Sequence, residues 1–286
     1  MSSLFRTTNW VLFWLFAPAS LVFLIVGTII ASPAGLSISV PIALVYGAAW
    51  VFLFRFSAMW PQAGAKWVFA TLGAGVGTCG AVLLVAGPVS DLVEKLGWEA
   101  ALASFAGAYP EEILKAACVV VILLSFRELD RPWHGLITGA MVGLGFEVYE
   151  NVLYGATGAL LDPNTDVEGA LTMWGMRIVA GPGLHIMFSA LAGWGIGVGL
   201  FSARLTSAQR WLAAGGWTAL AFALHFGWNF MPGSPVLQVV GMVAVALVGY
   251  PLAIWLAIKG HRAAKADLRA RPQWHAALAA GQARLG

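Results

Sequence analysis

Long apolar runs separated by short polar breaks make up most of this sequence. Read with a window of about 19 residues, the size suited to a bilayer-crossing helix, these runs predict eight transmembrane spans. They lie near 10–31, 40–57, 66–88, 104–126, 132–155, 178–202, 209–230 and 236–258. The runs are continuous and do not alternate as short strands do, which is typical of membrane helices and not of a β-barrel. The pattern predicts an all-α polytopic membrane protein with about eight transmembrane helices.

The polar breaks divide the chain into a membrane domain and a tail. Residues 89–103 are predicted to form a short interfacial loop or helix, and residues 156–177 are predicted to form the longest loop between spans. A single transmembrane domain is therefore expected over 1–258, followed by a basic, alanine-rich tail over 259–286. Close helix packing is predicted by glycines with the spacing of a GxxxG motif, at 73/77, 139/143 and 193/197.

Composition narrows the function classes. Hydrophobic residues make up 60% of the 286 residues and charged residues 10%, against about 25% charged in soluble domains. A soluble enzyme with one membrane anchor is thereby excluded. The net charge of +3 is small and unevenly placed, so it does not indicate nucleic-acid binding. The two cysteines, Cys79 and Cys118, lie in apolar runs and indicate neither a disulfide framework nor a cysteine zinc site.

The placement of lysine and arginine predicts an orientation. Cations concentrate in cytoplasmic loops, and thirteen of the 16 fall on one side of an eight-span arrangement: Arg6, Arg55, Lys66, Arg127, Arg131, Arg204, Arg210, Lys259, Arg262, Lys265, Arg269, Arg271 and Arg284. Only Lys95 and Arg177 fall on the opposite side, and Lys115 lies within a span. We expect both termini, and hence the tail, in the cytoplasm.

Ionisable residues are few inside the predicted spans, and they share one depth. The polar set is Glu111, Glu112, Lys115, Glu147, Glu150, Asn151, His185, Ser189, His225 and Asn229. At about 1.5 Å per residue, all of them fall in the outer half of the bilayer. Each ionisable group there costs about 2.5–3.5 kcal/mol, and unrelated structural uses would not share a depth. We therefore predict a four-helix catalytic core over about 104–230.

Helical spacing places several of these residues on common faces. One stripe at i, i+3, i+4 and i+7 carries Glu147, Glu150, Asn151 and Tyr154. His225 and Asn229 are four residues apart, as are Glu111 and Lys115. We expect Lys115 to neutralise Glu111 or Glu112, and not to act as a base. For Glu147, a direct and a supporting role both stay open.

Two hydrolytic chemistries suit this set. In one, Glu150, His185 and His225 bind zinc and leave a position open for water. Bound zinc lowers the pKa of that water to about 7, and Glu111 or Glu112 serves as general base. In the other, no metal takes part, and a buried glutamate activates water directly. His225 and the asparagine four residues later, Asn229, then stabilise the oxyanion.

Other mechanisms lack their residues. The sequence has no HExxH pair, no aspartate within a predicted span and no GxSG context for a serine nucleophile. The competing function is an ion- or proton-coupled transporter that uses the same buried Glu/His cluster. Such a carrier should show inverted repeats, and no halves with matching hydropathy are present. A purely structural role is the remaining alternative, since polar groups also join membrane helices.

Four segments in this order resemble the motifs of PrsW-type intramembrane proteases. Residues 110–115, PEEILK, resemble the EExxK motif, and residues 143–151, GLGFEVYEN, resemble GxGFxxxEN. Residues 177–193 are similar to an Arg…Pro…His segment, with the histidine at His185. Residues 225–229, HFGWN, match an HxxWN-like motif. These proteases belong to a superfamily with the CAAX-processing and bacteriocin-processing membrane proteases.

The wider superfamily pattern of EExxxR, FxxxH and HxxxN is met only in part. Lys115 comes one position early, Glu150 stands where FxxxH has histidine, and His225 with Asn229 retains HxxxN. Those relatives favour glutamate-activated water, whereas PrsW-type proteins are labelled metalloproteases, so zinc and a metal-free glutamate mechanism both stay open. Asn151 and Asn229 are expected to orient groups by hydrogen bonds.

The resemblance implies an intramembrane peptidase in the bacterial plasma membrane. Its partners would be the lipid bilayer and a membrane-anchored protein or peptide, hydrolysed in or beside the outer leaflet. Neither the substrate nor the oligomeric state follows from the sequence.

Overall fold

The computed structural model describes residues 32–282, and this part of the chain is helical without any strand. Its α-helices are α1 (Pro33–Arg55), α2 (Gly64–Lys95), α3 (Tyr109–Ser125), α4 (Pro132–Leu161), α5 (Asp166–Ala180), α6 (Leu184–Phe201), α7 (Ser207–Asn229) and α8 (Pro235–Gln282). A 3₁₀ turn (Glu99–Ala101) and a π-helical segment (Ser104–Ala108) connect α2 to α3. The all-α prediction is confirmed for these residues.

Part of the predicted topology falls outside this description. The span predicted at 10–31, with Arg6 and Arg284, lies outside the described residues, and so do the side chains of Arg269 and Arg271. Among the described helices, four are long and apolar enough to cross a membrane: α1, α2, α6 and the part of α8 over Pro235–Leu268. The chain is thus an integral membrane protein, while the count of eight spans stays a prediction.

The helices α3, α4 and α7 correspond to spans predicted at 104–126, 132–155 and 209–230, but they do not qualify as spans by length and hydropathy. Helix α3 has only 17 residues. The helices α4 and α7 contain glycine, tryptophan and the polar residues of the cluster, which lower their hydropathy.

The long loop predicted over 156–177 is wrong. Helix α4 continues to Leu161, and α5 occupies Asp166–Ala180 after a four-residue turn. In this turn Asp162 accepts hydrogen bonds from the backbone N–H groups of Asn164 and Thr165. Thr165 then caps α5 by accepting from the Glu168 N–H. Local side-chain caps of this kind begin a helix, so a polar segment that reads as a loop here contains a turn and a helix.

Helix α4 lies at the centre of the bundle and contacts α1, α2, α3, α5, α6 and α8. It approaches α6 at glycines, because a Cβ added at Gly139 would collide with the backbone of Ser189, and one at Gly193 with the backbone of Gly135. The close packing predicted for the glycines at 139/143 and 193/197 is confirmed. At Gly73 an added Cβ would meet no atom within 4 Å, so that position makes no close approach.

The start of α6 differs from the span predicted at 178–202. The chain breaks at Gly181–Gly183, and Gly183 adopts a φ of 70°, which glycine tolerates best. Helix α6 then starts at Leu184. His185 consequently lies in the first turn of a helix, where backbone N–H groups lack partners within the helix.

Candidate active site

The polar residues of α3, α4, α6 and α7 meet in one buried cluster. Glu111, Glu112 and Lys115 come from α3, Glu147, Glu150 and Asn151 from α4, His185 from α6, and His225 and Asn229 from α7. Hydrogen bonds and ion pairs link these residues to one another, in part through Arg177. Ser189 stays apart, because its buried hydroxyl has no hydrogen-bond partner among residues 32–282. On α3, α6 and α7 the cluster lies within about a turn of the helix end.

The start of α3 presents two adjacent carboxylates. Pro110 lies at the beginning of the helix, and Glu111 and Glu112 follow in the first turn, where the helix dipole stabilises negative charge. A π-helical segment precedes them, and such segments are frequent at functional sites. Within it, a Cβ added at Gly107 would lie 3.2 Å from both Glu111 Oε1 and Asn229 Nδ2. A glycine here leaves room between these two side chains.

Lys115 is the cation at the centre of the cluster. Its Nζ lies 2.5 Å from Glu112 Oε1 and 3.7 Å from Glu111 Oε2. It also lies 3.0 Å from Nδ1 of His185. The expectation that Lys115 neutralises the carboxylates is confirmed, and the contact with His185 ties α3 to α6.

His225 is held from both sides of its ring. Its Nδ1 lies 2.9 Å from Glu112 Oε1, and its Nε2 lies 3.2 Å from Asn229 Nδ2. Because an ionised carboxylate only accepts hydrogen bonds, Nδ1–H donates to Glu112, and Nε2 accepts from the Asn229 amide. This tautomer is assigned from the network. The ring also stacks on Phe188 at 4.8 Å between centroids, which fixes its plane.

His185 makes a second, similar pair. Its Nε2 lies 2.8 Å from Glu150 Oε2, and its Nδ1 faces the Lys115 ammonium. By the same argument Nε2–H donates to Glu150, and Nδ1 accepts from Lys115. The rings of His185 and His225 lie 5.1 Å apart and nearly perpendicular. The cluster thus holds two histidine–glutamate pairs side by side.

Glu147, for which the sequence leaves a direct and a supporting role open, caps the start of α6. Its Oε2 accepts the backbone N–H groups of His185 and Ile186 at 3.0 and 3.4 Å. Its Oε1 accepts the Gly183 N–H at 3.0 Å and the Tyr46 hydroxyl at 2.6 Å. Since Gly183 itself offers no side-chain cap, this carboxylate fills the role that a local cap normally has. Its effect on the site is to position His185.

Arg177, from α5, covers the edge of the cluster. Its guanidinium donates to Glu150 Oε2 and, at 2.6 Å, to Asn151 Oδ1. It also lies 4.6 Å from the centre of the Tyr154 ring. Sequence reasoning treated Arg177 as a loop cation and part of a motif, and it missed Tyr46 altogether. A single tyrosine in an apolar span does not by itself indicate a functional residue.

The charges and donor atoms of the cluster fit a bound metal ion. Four glutamates face only Lys115 and Arg177 among the described residues, so carboxyl groups outnumber cationic side chains in the cluster. Oε2 of Glu111 and Oε2 of Glu112 are buried and have no hydrogen-bond partner within 32–282. Buried polar atoms rarely lack a partner. A divalent cation would give such an oxygen a partner and add positive charge to a site rich in carboxyl groups.

The donor group differs from the set predicted from sequence. One ligand atom each from Glu111, Glu112, His185 and His225 lies within 4.8 Å of the others, and these are ligands that zinc takes. Glu150 is not among these four residues, and its Oε2 contacts His185 and Arg177. The two histidines remain common to both sets.

Comparison with known proteins finds a matching family model and a similar protein. A family model described as PrsW family intramembrane metalloprotease matches residues 61–256, which contain all residues of the cluster except Tyr46. The chain is also similar to Protease PrsW from Geobacillus kaustophilus (strain HTA426), with 28% identity over 176 residues, or 61% of this chain and 68% of that protein. No solved structure matches the chain.

Proposed function

The chain belongs to the PrsW family of intramembrane metalloproteases, and from this premise we propose that the Glu/His cluster activates water to hydrolyse a membrane-anchored protein. The chain is a membrane peptidase by its family.

One observation carries the assignment of the base. Oε2 of Glu111 is buried without a hydrogen-bond partner among the described residues, yet it lies 3.7 Å from His185 Nδ1 and 3.9 Å from His225 Nε2. A general base needs a free acceptor atom within reach of the reacting water. Glu112 also has a buried Oε2 without a hydrogen-bond partner among the described residues, but Lys115 and His225 hold its Oε1, and a carboxylate fixed in this way suits a metal ligand better than a base. Glu111 is therefore the base.

The remaining donors suit a metal. Glu112, His185 and His225 would hold the ion and leave a position open for water. His185 Nδ1 and His225 Nε2 would then give up their contacts with Lys115 and Asn229. When bound, zinc lowers the pKa of that water to about 7 and polarises the substrate carbonyl. Lys115 keeps Glu112 ionised by its contact at 2.5 Å, and Glu147 keeps His185 in place.

Proton transfer then runs through Glu111. As the water oxygen bonds to the carbonyl carbon of the substrate, Glu111 takes the water proton. When the carbon–nitrogen bond breaks, Glu111 returns a proton to the departing amine. The Asn229 amide, next to the space above Gly107, is placed to donate to the carbonyl oxygen as negative charge develops on it.

The experiment uses a pool of synthetic peptides, each with one apolar helix of about 20 residues and varied outer flanks, reconstituted with the full chain in vesicles. Wild type should release fragments that incorporate one oxygen from isotopically labelled water. Glu111→Gln should lose about 10²–10⁴-fold in rate, whereas Glu128→Gln, an exposed glutamate outside the cluster, should not. Cleavage by Glu111→Gln at the wild-type rate refutes the proposed base.

An outer-leaflet location is the second part of the proposal. The loops that lead from α3 to α4 and from α6 to α7 contain Arg127, Arg131 and Arg204, and such cations favour the cytoplasmic side. The cluster lies at the opposite ends of α3, α6 and α7. On a cysteine-free background, Asn164→Cys should react with an impermeant reagent added outside, and Ser207→Cys should not. The reverse pattern places the cluster in the inner leaflet.

A further inference from the structure

Phe146 lies on α4 between two members of the cluster that come from other helices. Its side chain is 1% exposed. The Lys115 ammonium of α3 lies over its ring, with Nζ 4.5 Å from the ring centroid. The imidazole of His185 on α6 lies 4.6 Å from the same ring, centroid to centroid. Phe146 is therefore an apolar contact shared by the central cation and one histidine of the cluster.

The ring completes the surroundings of the Lys115 ammonium. Lysine has three N–H donors, and acceptor atoms of Glu112, Glu111 and His185 lie 2.5, 3.7 and 3.0 Å from Nζ. The face of an aromatic ring is negative and attracts a cation, more strongly where water is excluded. Lys115 is 1% exposed, so the Phe146 ring stabilises the ammonium in its place next to Glu112.

An aromatic ring has an advantage over a polar side chain at this position. Phe146 attracts the ammonium although it has no polar atom, so it makes no hydrogen bond to either nitrogen of His185. These nitrogens contact Lys115 and Glu150. If Nδ1 of His185 turns to a metal, Lys115 loses its 3.0 Å contact and keeps the ring. The ammonium can then stay with Glu112 in both states.

Close packing of α2 against α4 fixes the position of Phe146. A Cβ added at Gly75 would lie 2.5 Å from the backbone nitrogen of Phe146. One added at Gly145 would lie 2.2 Å from the carbonyl oxygen of Leu72. The ring itself belongs to a buried apolar cluster with Cys79 of α2. A ring fixed by two helices can hold side chains that come from two others.

We propose that Phe146 is a positioning residue of the candidate active site. Its ring face holds the Lys115 ammonium against Glu112, and the ring supports the imidazole of His185. Because Phe146 is buried, it acts through these side chains and does not contact the substrate. This inference rests on the proposed function, in which Glu112 and His185 hold the metal.

The contact between Phe146 and Lys115 is measured independently of cleavage. The chain has five lysines, so ¹³C labelling at lysine Cε gives few NMR signals, and Lys115→Arg identifies the signal of position 115. Protons above an aromatic ring resonate upfield, so this signal should lie upfield in wild type and move downfield in Phe146→Leu. Lys259, which lies over Trp194 and Trp255, should keep its position in both proteins. An unchanged Lys115 signal in Phe146→Leu overturns the proposal.

Fluorination tests the electrostatic part of the contact. Fluorine withdraws electrons from the ring face and weakens its attraction for a cation, while the size of the ring changes little. Phenylalanines with one, two or three fluorines at Phe146 should lower kcat stepwise, by at least about threefold in total, with KM unchanged. The control is Phe54, which packs on Trp50 at 5.5 Å and has no cation over its ring among the described residues. There the same changes should stay within about twofold, and equal losses at both positions overturn the proposal.

Phe146→Leu keeps an apolar side chain and removes the ring face. With the peptide that wild type cleaves best, it should lower kcat at least about tenfold, with circular dichroism as the check on folding. A loss in KM instead of kcat overturns the proposal, since a buried ring does not contact the substrate. If wild type cleaves no peptide, the proposed function fails, and the lysine spectra alone decide whether Phe146 positions Lys115.

Discussion

Two histidine–glutamate pairs lie side by side in the cluster, and they are held in different ways. In the first pair, His225 contacts Glu112 and the counter-charge is Lys115, with all three side chains at most 4% exposed. In the second, His185 contacts Glu150 and the counter-charge is Arg177. The side chains of Glu150 and Arg177 are 15% and 20% exposed. The first pair is sealed, and the second opens towards the edge.

The two pairs also differ in which parts of the fold support them. The sealed pair comes from α3 and α7 and carries its own cation on the same helix as its carboxylate. The edge pair depends on parts further away, because Arg177 comes from the short helix α5 and His185 depends on the Glu147 cap. Removing one partner of a buried ion pair costs about 3–5 kcal/mol, and a partly solvated pair costs less. We infer that Glu112 and the two histidines support the chemistry directly, and that Glu150 and Arg177 tune it through His185.

The largest expected effect comes from removing the charge of each glutamate in turn. Glu112→Gln should lower the cleavage rate by about 10³-fold, because it removes both the carboxylate that orients His225 and a metal ligand. Glu150→Gln should lower it by only about tenfold, since Glu150 acts on His185 from outside the donor group. Initial rates on the reconstituted peptide measure both, with circular dichroism as the check on folding. Equal losses would mean that the two pairs are equivalent.

Metal content is expected to distinguish the residues that bind the metal from Glu150, which only positions one of them. Purified wild type should carry about one zinc per chain, as catalytic sites with three protein ligands do. His185→Ala and His225→Ala should both lose it, whereas Glu150→Gln should retain it. Elemental analysis of the protein, before and after chelation and zinc return, gives the answer. A metal-free wild type that still cleaves shows that Glu111 activates water unaided.

The two pairs also differ in how far the sequence alone predicts them. Lys115 and Glu111 are four residues apart, as are His225 and Asn229, and such spacing shows directly which side chains share a helix face. The residues of the sealed pair and the contact of Lys115 with the carboxylates were therefore predictable. All of them lie in apolar runs where a charged residue stands out.

The supports of the edge pair were not predictable in this way. Glu147 binds backbone N–H groups of Gly183 and His185, about 36–38 residues later in the chain, and no local pattern encodes that contact. The helix that carries Arg177 has a polar start that resembles a loop, although Thr165 caps it. The break before α6 was missed because the residues flanking Gly181–Gly183 are apolar. Only the contacts of Glu147 depend on the folded chain, because the start of α5 and the break before α6 have local signals in Thr165 and in the left-handed Gly183.

A smaller effect is expected from the cap of α6. Glu147→Gln removes a charged acceptor and places an amide against N–H groups, so His185 should shift and zinc affinity should fall about 10–100-fold. Tyr46→Phe removes only one of the four hydrogen bonds to Glu147 and should have a weaker effect in the same direction. Zinc affinity by competition with a chelating dye and the kcat/KM split measure both variants.

Tyr149→Phe is the matched control for this cap. Its hydroxyl is buried on α4 but has no hydrogen-bond partner among residues 32–282, so its removal should leave zinc affinity unchanged. Wild-type zinc affinity in Glu147→Gln would show that the cap stabilises α6 without setting the position of His185.

The smallest effect is expected at the edge, from Arg177→Gln. This change leaves Glu150 with His185 as its partner and removes the hydrogen bond to Asn151, so the rate should fall by about three- to tenfold. Arg177→Lys should recover only part of the loss, because one ammonium does not reproduce the planar fork that serves both acceptors. Lys95→Gln, an exposed cation outside the cluster, is the control and should not change the rate.

If Arg177 acts through Glu150, the double variant with Glu150→Gln should lose less than the product of the two single losses. Independent losses, or a loss at Arg177 as large as at Glu112, would make the edge pair as essential to the reaction as the sealed one.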